Sequence, residues 1–132
     1  MHYADSFSRI VLFSPAVEVD LLLNKTNGNT ERAVPSILFD TMIGTKEAYD
    51  ASPRLNPLRG VETALEDGKG VQPIWMCCGE DDPLVVKACK HFSGFLTAKG
   101  VAHTFVGGKG EHDLIYWDKH LEEAFRFLAD KI

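Results

Sequence analysis

The sequence predicts an α/β fold, with a mostly parallel sheet of about three strands flanked by helices. Three short apolar runs have the character of buried strands, at 9–13, 73–78 and 102–106. Segments with helical signals separate these runs and follow the last one, and such alternation is typical of a parallel sheet. Because crossovers between parallel strands are right-handed, the run at 73–78 is expected in the middle of the sheet.

The helices are predicted from capping residues, prolines and apolar spacing. In the middle of the chain we expect a short helix at 35–43, another turn or two at 45–49, and a helix from the Asn56-Pro57 pair through Leu65. A longer helix is expected to start after the Asp82-Pro83 pair and to end at Gly100. The closing helix is expected to bury an apolar stripe made of Trp117, Leu121, Ala124, Phe125 and Leu128.

Length, composition and net charge limit the classes of protein to which this chain can belong. The chain has 132 residues, the size of one domain, with 45% hydrophobic and 25% charged residues, as in ordinary globular proteins. The net charge of −5 argues against nucleic acid as a partner, since phosphate binding needs clustered Lys and Arg. No apolar run approaches the ~20 residues that a membrane span requires, so no membrane partner is expected either.

The cysteines and histidines are not expected to form a metal site or a disulfide framework. Cys77, Cys78 and Cys89 are odd in number and lack a CxxC pair, so they are expected to be buried small apolar residues. His112 and His120 are eight residues apart, whereas a metal pair on a helix face is four apart. No metal or other cofactor is therefore expected. Reduced thiols favour the cytoplasm, and no signal peptide is visible.

Two loops after predicted strands contain candidate catalytic groups. The strand at 73–78 stops at Gly79 and opens into an acidic turn, while the strand at 102–106 runs into the glycine-rich loop GGKGEHD, which contains His112. Since the carboxyl ends of parallel strands meet at one edge of a sheet, an acid and an imidazole are expected there together. A neutral imidazole in that place takes a proton from a nucleophile and returns it to a leaving group.

The acid at this edge has more than one interpretation. Asp82 stands before Pro83, which is the pattern of a helix N-cap. As a buried carboxylate it would also accept a histidine N–H, fix the imidazole tautomer and stabilise the imidazolium. Glu80 and Asp81 are competitors that spacing does not exclude, and His112 has the alternative of being an ordinary loop residue.

No nucleophile motif accompanies these residues. The sequence contains no GxSxG, the pattern that places a serine on a tight turn after a strand. It also contains no Walker loop and no GxGxxG. The segment GGKG at 107–110 resembles a phosphate-binding loop only weakly. Such a loop leads directly into a helix, whereas this segment leads towards His112.

These motifs resemble the esterase D / tributyrin esterase group of α/β-hydrolases, a group similar to S-formylglutathione hydrolases and to feruloyl and acetyl-xylan esterases. The matching pieces are CGEDDPL at 78–84, for the family's C-G-x-x-D-x-L, and Gly110-Glu111-His112 with Trp117 five residues on, for G-x-H-x-W-x-x-W. The segment FSRIVLFSPA at 7–16 resembles the strand that follows the nucleophile helix, so the resemblance covers nearly the whole chain. One departure is Leu114, where the family often has tryptophan.

The resemblance implies a carboxylic-ester hydrolase that acts on a small-molecule ester. It gives Asp82 the role of triad acid, His112 that of general base, and Trp117 a place at the substrate. The family's nucleophile elbow and oxyanion-hole segments precede the matching region. Residues 1–132 are therefore expected to be the carboxyl-terminal half of an α/β-hydrolase domain, without the amino-terminal strands and the serine.

Such a half domain is expected to be inactive alone. Its exposed sheet edge would favour self-association or a partner chain. Two other interpretations remain open at this stage. One is a non-catalytic remnant, and the other is a small binding module that keeps the fold without the chemistry.

Overall fold

The computed structural model describes residues 7–18, 41 and 44–130. Within them the chain forms the strands β1 (Ile10–Phe13), β2 (Ile74–Cys77) and β3 (His103–Val106), and the helices α1 (Lys46–Ala51), α2 (Pro57–Glu66), α3 (Val86–Ala98) and α4 (Leu114–Ala129). The helix predicted at 35–43 falls almost entirely outside the described residues. No helix in these described ranges is long and apolar enough to cross a membrane.

The three strands form one sheet in the order β1-β2-β3, with both pairings parallel. Ile10 is in register with Ile74, and Ile74 with His103, so all three strands end at the same edge. The three predicted strands and the central position of β2 are confirmed. Every residue of β2 is buried, as expected of a strand covered on both faces.

Side chains of β2 alternate between two cores, one on each face of the sheet. The core under α2 and α3 contains Val61, Ile74, Met76, Ala88, Phe92 and Leu96. The core under α4 contains Trp75, Cys77, Tyr116 and Ala124. Helices therefore cover both faces of β2, and the α/β fold class predicted from the sequence is confirmed.

Two helices begin at or near their predicted starts. The Oδ1 atom of Asn56 accepts the N–H of Leu58 at 3.0 Å and so caps α2, as the Asn-Pro pair predicts. The helix α3 begins at Val86, three residues later than Pro83 would place its start. The reason is that residues 83–85 form a turn, and Asp82 caps that turn rather than the helix itself.

The apolar stripe predicted for α4 is only partly right. Ala124 is buried and Trp117 is half-buried, but Leu121, Phe125 and Leu128 are 39%, 64% and 45% exposed. The face that packs on the sheet is formed by Tyr116 and Ala124, with Trp117 and Phe127 partly buried beside them. The helix has apolar side chains on more than one face, so periodicity alone does not identify the face that meets the sheet.

Candidate active site

Two loops meet at the carboxyl edge of the sheet, the acidic turn after β2 and the glycine-rich loop after β3. The N–H of Glu80 donates to the carbonyl of Gly108 at 2.9 Å, and the N–H of Asp81 donates to that of Gly110 at 3.0 Å. In return, Oδ2 of Asp81 accepts the N–H of Gly110 at 3.2 Å. Hydrogen bonds thus join the two loops directly, so their side chains have a defined relative position.

Two glycines make this close approach possible. A Cβ atom on Gly79 would overlap the carbonyl oxygen of Gly110, and a Cβ atom on Gly110 would overlap the ring of Tyr116. The first overlap is with backbone, which cannot turn aside as a flexible side chain can. The glycines of both sequence motifs are therefore explained by loop packing at this site.

His112 and Asp82 form a hydrogen bond, with 2.8 Å between Nδ1 of the ring and Oδ2 of the carboxylate. Their predicted approach is confirmed. The carboxylate is fully buried, and its Oδ1 atom accepts the N–H groups of Leu84 at 2.9 Å and Val85 at 3.1 Å. The histidine-acceptor interpretation of Asp82 therefore agrees with the structure, whereas the helix N-cap interpretation is wrong, because Asp82 caps the turn at 83–85 and Val85 is the N-cap residue of α3. A carboxylate at Nδ1 places the imidazole proton there and leaves the lone pair on Nε2.

The second nitrogen of the His112 ring, Nε2, differs from Nδ1 in its surroundings. Among the residues that the structure describes, Nε2 of His112 has no hydrogen-bond partner, and the side chain is 33% exposed. The Trp117 ring lies against the imidazole nearly at right angles, with 5.1 Å between centroids and 81° between planes. Nε2 is therefore the ring atom available to exchange a proton with a reacting group.

Ser14 is a site residue that the sequence did not reveal. It follows β1 directly, is buried, and its Oγ atom accepts the indole N–H of Trp117 at 2.9 Å. Its backbone φ of 41° lies in the left-handed region, which is uncommon for a residue other than glycine. In the sequence, Ser14 is marked only by the proline that follows it, and a Ser-Pro pair at the end of a strand indicates a turn.

The start of α4 anchors the histidine loop from its other side. Asp113 follows His112 and caps α4, since its Oδ1 atom accepts the N–H of Tyr116 at 2.8 Å. The buried Tyr116 hydroxyl donates to the carbonyl of Gly107 at 3.1 Å. Burial raises the pKa of Tyr116, so the phenol remains a donor. Helix α4 thus starts directly after His112 and is also bonded to the beginning of the loop that contains it.

All three cysteines are free and buried, as expected from the sequence. Burial raises the pKa of Cys77 to about 12. The neighbouring Cys78 thiol and burial together raise the pKa of Cys89, while the Cys89 thiol lowers the pKa of Cys78. The Cys78 thiol lies against the carboxylate of Asp82, with 3.8 Å between Sγ and Oδ2.

A cavity of about 740 Å³ opens beside the start of α4. Its lining consists of Phe13, Leu114, Ile115, Trp117, Asp118, Lys119 and Leu121. Neither His112 nor Asp82 lines it. Leu114, the residue that departs from the family pattern, is strongly exposed and forms part of this mostly apolar wall.

Comparison with known proteins extends these observations. No protein-family model matches the chain. An acetyl esterase of Caldicellulosiruptor saccharolyticus is 33% identical to it over 73 residues, which are 54% of this chain and 27% of that esterase.

Solved structures match over nearly the whole chain. The fluorophosphonate-binding serine hydrolase F of Staphylococcus aureus has a TM-score of 0.76, and an S-formylglutathione hydrolase of the same organism has 0.72. Each is 21% identical over 98% of this chain, which covers 48% and 47% of their lengths. Esterase B of Lactobacillus Rhamnosis has a TM-score of 0.63 and 18% identity, over 92% of this chain and 40% of its own.

The chain thus spans about half the length of the first two solved structures that it matches. The matching proteins all fall in the esterase-like group of α/β-hydrolases, so the resemblance seen in the sequence motifs is confirmed. The chain has the α/β-hydrolase fold, and the proteins that it resembles are esterase-like α/β-hydrolases.

Proposed function

We propose that this chain supplies the acid and the base of a serine-dependent carboxylic-ester hydrolase. The observation that carries the proposal is the 2.8 Å hydrogen bond between Nδ1 of His112 and the buried carboxylate of Asp82. The fold, which this chain shares with esterases and other serine hydrolases, supports it as well. The proposed substrate is a small-molecule carboxylic ester.

The proposed reaction has two halves. A serine hydroxyl attacks the ester carbonyl while Nε2 of His112 takes its proton, and the imidazolium then gives this proton to the leaving alcohol. In the second half Nε2 takes a proton from water, the hydroxide attacks the acyl group, and the proton returns to the serine oxygen. Throughout, Asp82 keeps a proton on Nδ1 and stabilises the positive ring.

The serine is proposed to come from a polypeptide region beyond this chain, because its sequence has no GxSxG. The cysteines do not replace it in this proposal. The raised pKa values of Cys77 and Cys89 keep these thiols protonated at neutral pH, and a thiol is a much weaker nucleophile than a thiolate. The buried Cys78 thiol faces Asp82, and substrate cannot reach it.

The proposed place for the serine-bearing region is the β1–α4 surface. This surface combines the outer edge of β1, which no described strand pairs, with a set of neighbouring apolar side chains. They are Phe13, Leu114, Ile115, Leu121, Phe125 and Leu128. An unpaired parallel edge and an exposed apolar patch both favour association, so the chain alone is expected to self-associate.

Trp117 is proposed to contact the substrate through its ring. Its N–H is already bonded to Ser14, so the indole offers only an apolar surface. That ring both touches His112 and lines the cavity beside α4. These contacts support a place for Trp117 next to the acyl group of an ester whose carbonyl lies near Nε2.

The test restores the proposed serine. The part of the Staphylococcus aureus S-formylglutathione hydrolase that this chain does not match is fused ahead of Met1, and hydrolysis of p-nitrophenyl acetate is measured at neutral pH. We expect turnover that falls about 10³- to 10⁶-fold in His112→Ala and about 10²- to 10⁴-fold in Asp82→Asn. The control His91→Ala changes an exposed histidine on α3 and should leave turnover unchanged.

The chain without the fused region should hydrolyse the ester no faster than its own His112→Ala variant. Turnover of the fused protein that is equal with and without His112 would contradict the proposal. A fused protein that folds, and whose serine reacts with a fluorophosphonate probe, but that shows no turnover would favour the non-catalytic alternative.

A further inference from the structure

We propose that Ser14 and Trp117 are positioning residues that fix the orientation of the His112 imidazole. The inference rests on the proposed role of His112 as a base. It goes further by making that role depend on a residue at the end of β1, a strand that contributes neither the acid nor the base. Three contacts support the inference. The end of β1 holds Ser14, Ser14 holds the ring of Trp117, and that ring holds the imidazole of His112.

The hydrogen bond to Asp82 does not by itself fix the imidazole. It holds the Nδ1 atom of His112 at 2.8 Å, but the ring can still rotate about that bond, and rotation moves Nε2. The Trp117 ring provides a second contact, at 5.1 Å between centroids and 81° between planes. This is a favoured edge-to-face arrangement of aromatic rings, and it restricts the rotation that Asp82 permits.

The Trp117 ring is itself fixed by Ser14. Its Nε1–H donates to Oγ of Ser14 at 2.9 Å, across 103 positions of sequence. An indole has one donor, so this bond leaves Trp117 none for His112 or for a substrate. Its effect on His112 is therefore exerted through the ring, and the bond to Ser14 determines where that ring lies.

Ser14 is fixed by the end of β1. Its N–H donates to the carbonyl of Cys77 at 2.8 Å, and its side chain is buried. A φ of 41° is unfavourable for serine, and a following proline makes extended backbone the usual choice at such a position. Residues kept in such conformations cluster at functional sites, and here the conformation accompanies a hydroxyl bonded to Trp117.

The test measures the imidazole directly, on ¹⁵N-labelled protein by NMR. The readout is the rate at which the Nδ1 proton of His112 exchanges with water. Ser14→Gly removes the hydroxyl while suiting the positive φ. Trp117→Leu removes the ring. The indole N–H of Trp75, the other of the two tryptophans, donates to Glu123 and reports whether the fold is intact.

We expect each substitution to raise the exchange rate about two- to tenfold, the range that an aromatic edge contact supports. Because Ser14 acts through Trp117, the double variant should exchange no faster than Trp117→Leu alone. If the Ser14–Trp117 bond only joined β1 to α4, its loss would lower the stability of the fold without raising the exchange rate of the Nδ1 proton in this way.

An unchanged rate in Trp117→Leu would overturn the inference, and so would effects of the two substitutions that add in full. If the Trp75 signal shows that Ser14→Gly does not fold, Trp117→Phe tests the same bond, since it keeps a ring and loses the N–H. An unchanged rate in that variant would remove Ser14 from the chain of contacts. The readout needs no ester, so an inactive fused protein would contradict the proposed function and leave this inference standing.

Discussion

The carboxylate of Asp82 serves a turn and an imidazole at once. Oδ1 accepts two backbone N–H groups and Oδ2 accepts the ring of His112. Sequence reasoning found this pair because both residues follow neighbouring parallel strands. Spacing alone could not choose among three adjacent acids, and only the family resemblance pointed to Asp82; in the structure Asp81 accepts the N–H of Gly110 instead. The sequence could not identify Ser14 as part of the site, because its hydrogen bond to Trp117 depends on tertiary packing.

At the residue scale, the Gly79–Gly110 contact makes a prediction. Gly79→Ala places a methyl group against the Gly110 carbonyl and must push the two loops apart. We expect a loss of about 1–3 kcal/mol in the free energy of unfolding, measured by urea titration. The bond between His112 and Asp82 should weaken in the same variant, which the exchange of the Nδ1 proton reports.

Gly94 provides the matched control for this substitution. It lies inside α3, and a Cβ atom there would meet nothing within 4 Å. Gly94→Ala should therefore raise the free energy of unfolding by about 0.5–1 kcal/mol, because glycine is unfavourable inside a helix. If the two variants behaved alike, the steric explanation of Gly79 would be wrong.

At the scale of elements, sequence reasoning succeeded where a local signal decides. The apolar runs gave the strands, and Asn56 gave the start of α2. It succeeded only in part for the orientation of α4, because that helix has apolar side chains on more than one face. Only packing against Trp75 and Cys77 selects the face with Tyr116.

A second prediction concerns the tie between α2 and α3. The Nζ atom of Lys99 lies 3.0 Å from Oε1 of Glu62, and this hydrogen bond lowers the pKa of Glu62 against a smaller opposing effect of burial. A lowered pKa stabilises the fold above the unfolded value near 4.5, and this stabilisation is lost as pH falls through the folded value.

Glu62→Gln should accordingly lower the free energy of unfolding by about 0.2–1 kcal/mol at pH 7, the range for solvent-accessible ion pairs. The difference from the parent should shrink as pH falls below 4.5. Urea titrations at pH 7 and at acidic pH provide the comparison. In a Lys99→Met background, Glu62→Gln should change the free energy of unfolding by less. An equal change in both backgrounds would mean that Glu62 stabilises the fold through another contact.

At the scale of the whole molecule, the β1–α4 surface decides how the chain behaves alone. Phe125 and Leu128 are strongly exposed on α4, away from the face that packs on the sheet. Replacing both, as Phe125→Glu with Leu128→Lys, should shift the isolated chain towards monomer in analytical ultracentrifugation, since it breaks an exposed apolar patch.

Arg126→Gln is the control on the same helix, because its side chain is exposed and polar before and after the change. It should leave the distribution of oligomers as it was. An equal distribution in the double variant and the parent would mean that self-association uses another surface, and the proposed place of the serine-bearing region would lose its support.

The strand order of the sheet follows the order of the chain, which matters during synthesis. Ile10 of β1 pairs with Ile74, and Ile74 pairs with His103. At a translation rate of about 5–20 residues per second, β1 precedes β2 by about 3–12 s, roughly twice the interval between β2 and β3. Through that time four consecutive apolar side chains have no neighbouring strand within the described sheet. Among the described strands, β1 is therefore the one that waits longest for the strand with which it pairs.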